Sequence, residues 1–369
     1  MRKLLLAIII VGSGLLTSCF SYKDINGMIF ITALVVDHVD GEFVLYAEAF
    51  HSYRSNKTNT EMGERVVYAS NGVTTFDAAR KFSQKSSYTI DYTQNKVVIV
   101  TQRAAEKGLK NILDLYERYQ DALIRSHILI LEGDPKALME IKIKEDEYIG
   151  LYLYQLMENP EIGVTNAQDR INQFYNARLM GDKITVVSML TIRDELGEHK
   201  LVLDKSAILK DDKLVQVMEY EDILAYHFLI DEVKIASIAF PNPVTNNGKV
   251  VVDVLKSKTK TDLEFDGQRI RLIKRIKSRT KLGGVQMPMA FDLNTARALE
   301  KGTNEVIKAN CEALFYKYKD DDVDIFDVKE IMMRKYPQYN IENPLKITEI
   351  VVEVDTNLEG SDNITDFIR

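Results

Sequence analysis

The sequence predicts an α+β protein of two to three domains, in which mixed sheets pack against helices. Three observations carry this prediction. Strand-like and helical segments are mixed along the chain without strict alternation, which favours α+β over α/β. The length of 369 residues suggests more than one domain, and 46% hydrophobic with 28% charged residues is typical of a soluble globular body. The apolar N-terminus ends in a cysteine, which predicts a soluble ectodomain after a lipoprotein signal peptide.

The N-terminal segment has the three parts of an export signal. Arg2 and Lys3 precede an apolar segment that ends at Leu16, well short of the roughly 20 residues that span a membrane. Leu16 is too bulky for an ordinary cleavage site, and Leu16-Thr17-Ser18-Cys19 resembles the bacterial lipobox, whose cysteine carries diacylglycerol. We therefore predict a signal peptide over 1–18, lipidation of Cys19 and a short tether over 19–27. The alternative is a plain signal peptide with a chance cysteine.

An N-terminal α+β domain is predicted over 28–183. It opens with a hairpin of Met28–Val36 and Phe43–Phe50, because Asp40-Gly41 is a favoured tight turn. Polar residues 52–64 predict a loop. Thr74 and Asp77 predict a capped helix start. The further predicted elements are a helix to about Lys85, strand Val97–Thr101, helix Ala104–Ala122, strand His127–Leu131, a short helix from Pro135, and helices Tyr148–Met157 and Ala167–Met180.

A middle domain over 184–232 and a C-terminal α+β domain over 233–360 follow, with a polar tail over 361–369. The middle domain is predicted as strands Ile184–Ile192, Lys200–Leu209 and Leu214–Met218 and helix Glu221–Ile230. The C-terminal domain is predicted as strand Lys249–Lys256, a hairpin, helices Leu293–Tyr318 and Ile325–Lys335, and strand Lys346–Val354. With Asp266-Gly267 as a two-residue turn, the hairpin register pairs Phe265 with Gln268, Glu264 with Arg269, Leu263 with Ile270, and Asp262 with Arg271.

The chain has two cysteines. If Cys19 carries lipid, Cys311 has no partner within the chain. Cys311 shares one helical face with Ile307, Leu314 and Tyr318, so it is predicted to be a small buried hydrophobe.

The motifs of common enzymes and nucleotide-binding sites are missing from the sequence, which predicts a protein that is not an enzyme. The five histidines are scattered without ligand spacing: His38, His51, His127, His199 and His227. An acidic cluster from Asp320 to Asp327 departs from a calcium loop at Ile325 and Ile331, which predicts a solvated loop. We therefore expect no catalytic residue, no metal site and no cofactor except diacylglycerol on Cys19. The net charge of −7 argues against nucleic acid as a partner.

A basic stretch begins in the predicted hairpin with Arg269 and Arg271, which the predicted register places opposite acids, and continues to Lys281. Five of its residues have no evident local partner: Lys274, Arg275, Lys277, Arg279 and Lys281. One interpretation is a solvated strand and loop. The other is contact with anionic headgroups or with an acidic surface of a partner, which a nearby lipid anchor would favour.

The sequence resembles the Ger(x)C family, the C-subunit lipoproteins of bacterial spore germinant receptors. The resemblance is spread over several weak motifs that cover most of the chain. They are Cys19 to Asn26 after the lipobox, Gly72 to Arg80, Lys96 to Val100 with Ala104 to Leu109, Ala207 to Val215, and Asp324-Ile325-Phe326 with Arg334-Lys335-Tyr336-Pro337. The chain departs from the family at Phe20-Ser21, where Trp-Asp is common.

The resemblance implies a three-part α+β ectodomain on the outer face of the spore inner membrane, and attachment to the cell membrane of the producing bacterium. It further implies assembly with two integral membrane subunits into a receptor that senses small nutrients, without catalytic residues of its own. The alternative is a solute-binding lipoprotein of a transporter. Such proteins have two similar lobes, and the sequence has no duplicated βα pattern.

Overall fold

The computed structural model describes residues 25–51, 65–118, 125–159, 166, 169–245, 247–290 and 292–361. The predicted signal peptide, Cys19, the loop over 52–64 and most of the polar tail lie outside these residues. The described part of the chain contains two mixed sheets with packed helices, so the predicted α+β class is confirmed.

The elements are numbered in chain order. The strands are β1 (Met28–Val39), β2 (Glu42–His51), β3 (Arg65–Gly72), β4 (Thr89–Asp91), β5 (Val97–Thr101), β6 (His127–Glu132), β7 (Ile184–Glu195), β8 (Glu198–Lys210), β9 (Lys213–Glu219), β10 (Ala236–Pro241), β11 (Lys249–Phe265), β12 (Ile270–Val285) and β13 (Thr348–Ser361). The helices are α1 (Thr75–Phe82), α2 (Gln102–Lys107), α3 (Lys110–Arg118), α4 (Pro135–Glu140), α5 (Ile149–Glu158), α6 (Ile171–Ala177), α7 (Tyr220–Ile230), α8 (Leu293–Asp320) and α9 (Val328–Lys335). Short 3-10 turns cover Ile25–Gly27 and Leu345–Ile347.

The large sheet has the strand order β3-β2-β1-β5-β6-β7-β8-β9, and β4 pairs with the start of β1. Its centre is parallel, because β1, β5, β6 and β7 run in one direction. Both flanks are antiparallel. The central strands are buried on both faces, as the continuous apolar run Val97–Val100 shows.

Helices cover both faces of the large sheet. Along β5, Val98 and Val100 pack into one apolar cluster with α1, α2, α3 and α6, whereas Val97 and Ile99 point into the other. The second cluster contains α4, α5 and α7 and continues without a break into the small sheet. Helix α7 therefore joins the two sheets through one shared core.

The small sheet has the order β10-β11-β12-β13 and is antiparallel except for the pair β12 and β13. Its inner face packs against the long helix α8, where Leu299, Ile307 and Leu314 are buried beside sheet residues such as Leu272 and Ile350. Cys311 lies on the same face of α8 and is fully buried, as the helical spacing predicts.

Two local predictions, a tight turn and a helix cap, are confirmed. Asp40 and Gly41 both have positive φ, 51° and 84°, in the turn between β1 and β2. The Thr74 hydroxyl accepts a hydrogen bond from the Asp77 N–H at 3.0 Å and so caps α1.

The predicted register of the C-terminal hairpin is wrong by two residues. The observed pairs include Phe265 with Ile270 and Glu264 with Arg271. Asp266 is the physical reason: its carboxylate accepts hydrogen bonds from the N–H groups of Gln268 and Arg269, both at 2.8 Å, which makes a four-residue loop. Because the shift is even, the predicted apolar face remains apolar.

The predicted helix Ala104–Ala122 is interrupted within its described part. Gly108 has φ of 122°, which ends α2, and α3 begins two residues later. The N–H of Leu109 donates instead to the carbonyl of Asp212 at 2.8 Å. Strands β3, β4 and β10 were not predicted, because each is short or weakly alternating.

The proposed domain border at residues 183 and 184 runs through the large sheet. Strand β6 lies on one side of this border in sequence and β7 on the other, yet they pair in parallel, with Ile130 opposite Met189. The three-part division of the chain stays a prediction.

Candidate functional site

The predicted lipidation site Cys19 lies outside the described residues, so lipidation stays a prediction. The described chain starts with the turn Ile25–Gly27 and passes directly into β1. Among the described residues, none of the helices combines the length and apolar character needed to cross a bilayer.

Lys274 does not belong to an exposed basic surface, so this part of the prediction is wrong. Its side chain points to the inner face of the small sheet and the residue is 2% exposed. The Nζ atom donates to the carbonyl of Leu229 at 2.7 Å and to the Thr261 hydroxyl at 3.0 Å. Burial lowers the pKa of Lys274 to about 8, and Asp327, Asp324, Cys311 and Asp231 oppose that shift.

The other basic residues lie on the outer face of the small sheet, where they form three successive cross-strand rows. We call these rows the cationic ladder: Lys256 opposite Arg279, Lys258 opposite Lys277, and Lys260 opposite Arg275. All six residues are exposed. Like charges directly opposite on one face of a sheet are destabilising, so each row has an energetic cost. Lys281 follows on β12 and is half-buried.

Acidic partners of the ladder come from its margins. On β13, Glu353 contacts Arg275 at 3.0 Å, Asp355 contacts Lys277 at 3.5 Å, and Glu359 contacts Arg279. The guanidinium of Arg279 lowers the pKa of Glu359 through its hydrogen bonds. Asp231 at the end of α7 pairs with Lys258. Within the described ranges, Lys256 and Lys260 have no ion pair.

The acidic cluster contains a buried capping residue. Asp324 is 4% exposed, and its carboxylate accepts from the N–H groups of Val328 and Lys329 at 3.0 and 2.8 Å. Burial raises the pKa of Asp324 to about 6. The prediction of a solvated loop is therefore wrong for Asp324, which fixes the start of α9. In the part of the chain that the structure describes, no group of three or more acidic, histidine or cysteine side chains has the geometry of a metal site.

The histidines occupy separate places in the fold. His127 is buried at the start of β6, where its Nε2 atom lies 2.9 Å from the Glu158 carboxylate, and burial lowers its pKa. His227 on α7 lies 3.1 Å from the Asn166 side chain. His199 pairs with Asp194 on the neighbouring strand.

A polar cleft of about 580 Å³ lies at the carboxyl ends of β1, β5 and β6. Asp37 from β1 is buried there, and Arg103 donates to its carboxylate through Nε at 2.6 Å. Burial raises the pKa of Asp37, but hydrogen bonds from Arg103, Thr101 and the His38 N–H lower it by more than burial raises it. The pKa of Asp37 is therefore below its usual value. Sequence reasoning missed this pair, because its members are 66 residues apart.

A second missed group surrounds Glu48, which is fully buried on β2. Its carboxylate accepts from Arg65 Nε at 2.6 Å and from the Thr32 hydroxyl at 2.7 Å. It also accepts from the N–H groups of Ile149 and Gly150, at 2.9 and 2.8 Å, which open α5. The signal available in the sequence was a single charged residue within the apolar run Leu45 to Phe50.

Two family models match consecutive parts of the chain. The model described as the N-terminal domain of spore germination proteins matches residues 21–192. The model described as spore germination B3/GerAC like, C-terminal, matches residues 204–362.

Individual relatives are distant in sequence. The chain is 21% identical over 308 residues to the spore germination protein GerQC of Bacillus cereus, which covers 81% of this chain and 83% of that protein. It is 20% identical over 235 residues to the putative spore germination protein YfkR of Bacillus subtilis (strain 168), which covers 60% of this chain and 59% of that protein. The crystal structure of the GerBC protein is similar in fold, with a TM-score of 0.57 and 12% identity over 88% of this chain and 96% of that chain.

Proposed function

This chain belongs to the Ger(x)C family of germinant receptor C subunits and has a role in spore germination, and from that premise we propose that it is a lipid-anchored, non-catalytic subunit of a nutrient germinant receptor. The observation that carries the proposal is the match of both family models, which together span most of the chain. The subunit assembles with two integral membrane subunits at the outer face of the spore inner membrane. The same chain is held at the cell membrane of the producing bacterium.

The lipobox supports a physical role for the lipid. Burial of acyl chain is worth about 0.8 kcal/mol per CH₂, and two chains hold a protein stably where one does not. The tether Phe20 to Asn26 spans at most about 25 Å when extended. Such confinement corresponds to effective concentrations around mM, so weak contacts with the membrane subunits suffice for assembly.

A germination assay on spores tests the proposal. We expect Cys19→Ala to leave the body folded but to abolish receptor function, because the chain leaves the membrane fraction. Replacing residues 1–19 with an uncleaved membrane-spanning helix of the correct orientation should restore germination. A spanning-helix version that is abundant, membrane-bound and inactive would show that the lipid makes a specific contact and is more than a tether.

The alternative of a transporter-associated solute-binding protein is tested by calorimetric titration with a panel of amino acids and sugars. We expect no tight binding by the isolated protein. A dissociation constant near 1 μM, about −8 kcal/mol, would instead support the alternative. In that case the first residues to substitute would be Asp37 and Arg103, which line the polar cleft.

A further inference from the structure

We propose that the cationic ladder is a docking surface for the anionic phospholipid headgroups of the bilayer. The inference rests on the proposed anchoring at Cys19, which keeps the body near such a surface. It adds three residues of β11, Lys256, Lys258 and Lys260, to the basic residues of β12 that the sequence singles out.

The arrangement of charge along the sheet carries the first step. Opposed side chains on one face of an antiparallel pair have Cβ atoms about 4.5–5.5 Å apart. Three consecutive rows of the ladder place two cations at that separation, and neither β11 nor β12 contributes an acid within these rows. Among the described residues, the carboxylates that contact the ladder come from β13 and from Asp231. Cations directly opposite each other repel, and Lys256 and Lys260 have no ion pair among the described residues, so an anionic partner would relieve this repulsion.

The surface chemistry favours a bilayer over a protein. A specific protein interface has a desolvated apolar centre with charges at its rim. Between Lys256 and Lys260 on β11 and between Arg275 and Arg279 on β12, the outer-face side chains are all charged. Leu255, next to Lys256 in the sequence, is an exposed apolar residue, at 40% exposure. Lys258 and Lys277 have side chains 69% and 78% exposed, so their ammonium groups remain hydrated. Exposed lysines on one face of a sheet can bind a diffuse layer of anionic headgroups. Each lysine near such a surface raises the binding constant about fivefold.

The test uses the full-length, lipidated protein in vesicles of phosphatidylcholine alone or with about one third phosphatidylglycerol. A fluorescent donor on Leu255→Cys reports proximity to acceptors in the bilayer, because the only other free thiol among the described residues, Cys311, is buried. A second donor on Ala309→Cys lies on the exposed side of α8, away from the sheet. We expect energy transfer from position 255, and not from position 309, to rise with phosphatidylglycerol and to fall again at high salt.

Matched variants identify the residues. Lys256→Ser with Lys260→Ser should lower the ratio of docked to undocked protein about fivefold for each lysine removed. Lys301→Ser with Lys308→Ser removes the same charge from exposed positions on α8 and should leave the ratio unchanged. Equal energy transfer with and without phosphatidylglycerol, or equal effects of the two pairs, overturns the proposal. Protein that fails to float with phosphatidylcholine vesicles contradicts the lipid anchor instead, and docking of the ladder is still measured with phosphatidylglycerol.

Discussion

In each sheet, a buried charged side chain forms hydrogen bonds with the end of a helix: Glu48 in the large sheet and Lys274 in the small sheet. In the large sheet, the carboxylate of Glu48 accepts from the first two N–H groups of α5, where the helix dipole is positive. In the small sheet, the ammonium of Lys274 donates to Leu229 O in the last turn of α7, where the dipole is negative. In both cases the side-chain charge is opposite in sign to the dipole at the helix end that it contacts.

The two sites differ in how the charge is compensated. Glu48 receives four hydrogen bonds, one of them from the guanidinium of Arg65. Arg65 in turn donates to the carbonyls of Met139 and Ile141, at 2.8 and 3.1 Å. Among the described residues, the ammonium of Lys274 has two hydrogen-bond acceptors, both neutral, and burial lowers the pKa of Lys274 to about 8. With neutral hydrogen-bond partners, the ammonium of Lys274 can lose its proton within an accessible pH range.

The largest effect is expected from Glu48→Ala. This change leaves the Arg65 guanidinium uncompensated and removes the acceptor for two helix N–H groups, so unfolding free energy should fall by about 3–5 kcal/mol. Urea denaturation followed by circular dichroism measures the loss. Glu48→Gln keeps the shape and should cost less. A loss below about 1 kcal/mol for Glu48→Ala would mean that the site relaxes freely and that the comparison of the two buried charges fails.

The second prediction concerns pH. The pKa of Lys274 is about 8 in the folded chain and about 10.4 in the unfolded chain, so the unfolded chain binds more protons between these values. Stability contributed at this site therefore rises with pH from about 8 to about 10.4, by about 2 kcal/mol. The measurement is the stability difference between the wild type and Lys274→Met at pH 7, 8, 9 and 10. A flat difference would show that the lysine titrates normally.

A smaller effect is expected when Lys274→Met is measured at pH 7 alone. Methionine fills a similar volume without a buried charge, and such replacements are often close to neutral, so we expect a change within about 1 kcal/mol. Glu48→Met, by contrast, leaves the Arg65 guanidinium without its carboxylate partner and should lower the unfolding free energy several times more. Similar losses for the two methionine variants would remove the distinction between an ion-paired and a neutral-partner charge.

The smallest effect is expected on the outer face of the small sheet. Arg275 and Glu353 have side chains 45% and 56% exposed, and exposed pairs contribute about 0.2–1 kcal/mol. A double-mutant cycle with Arg275→Ser and Glu353→Ser measures their coupling, which should fall further in high salt. A coupling free energy above about 2 kcal/mol would show that this ion pair is strong in spite of its exposure.

Local signals predicted much of the fold. The turn at Asp40-Gly41, the capping of α1 by Thr74 and the buried face of α8 with Cys311 depend on residues close in sequence, and the structure confirms them. The class of the fold followed from the mixture of such elements.

The sites were harder to predict, because their partners are distant in sequence. Arg275 has no local partner in the sequence, but in the fold β13 places Glu353 beside it, 78 residues later. Lys274 and Arg275 are neighbours in the sequence with opposite environments, and which of the two is buried depends on the position of α7. The same holds for Glu48, whose helix partner lies 101 residues away. The start of α5 lies so close to β1 that a Cβ at Gly150 would be 2.5 Å from the Thr32 carbonyl, so glycine is needed at this position.

The parallel pair of β12 and β13 has a consequence for the order of folding. Strand β13 comes from the end of the described chain, yet Ile350, Val352 and Leu358 fill the core beneath α8. A chain made from its N-terminus can form the large sheet, which ends at Glu219, while the small sheet still lacks its last strand. Contacts of such long sequence separation form slowly. Until they form, the cations of β12 face those of β11 without the carboxylates of β13, so the charge repulsion between β11 and β12 is greatest before β13 pairs with β12.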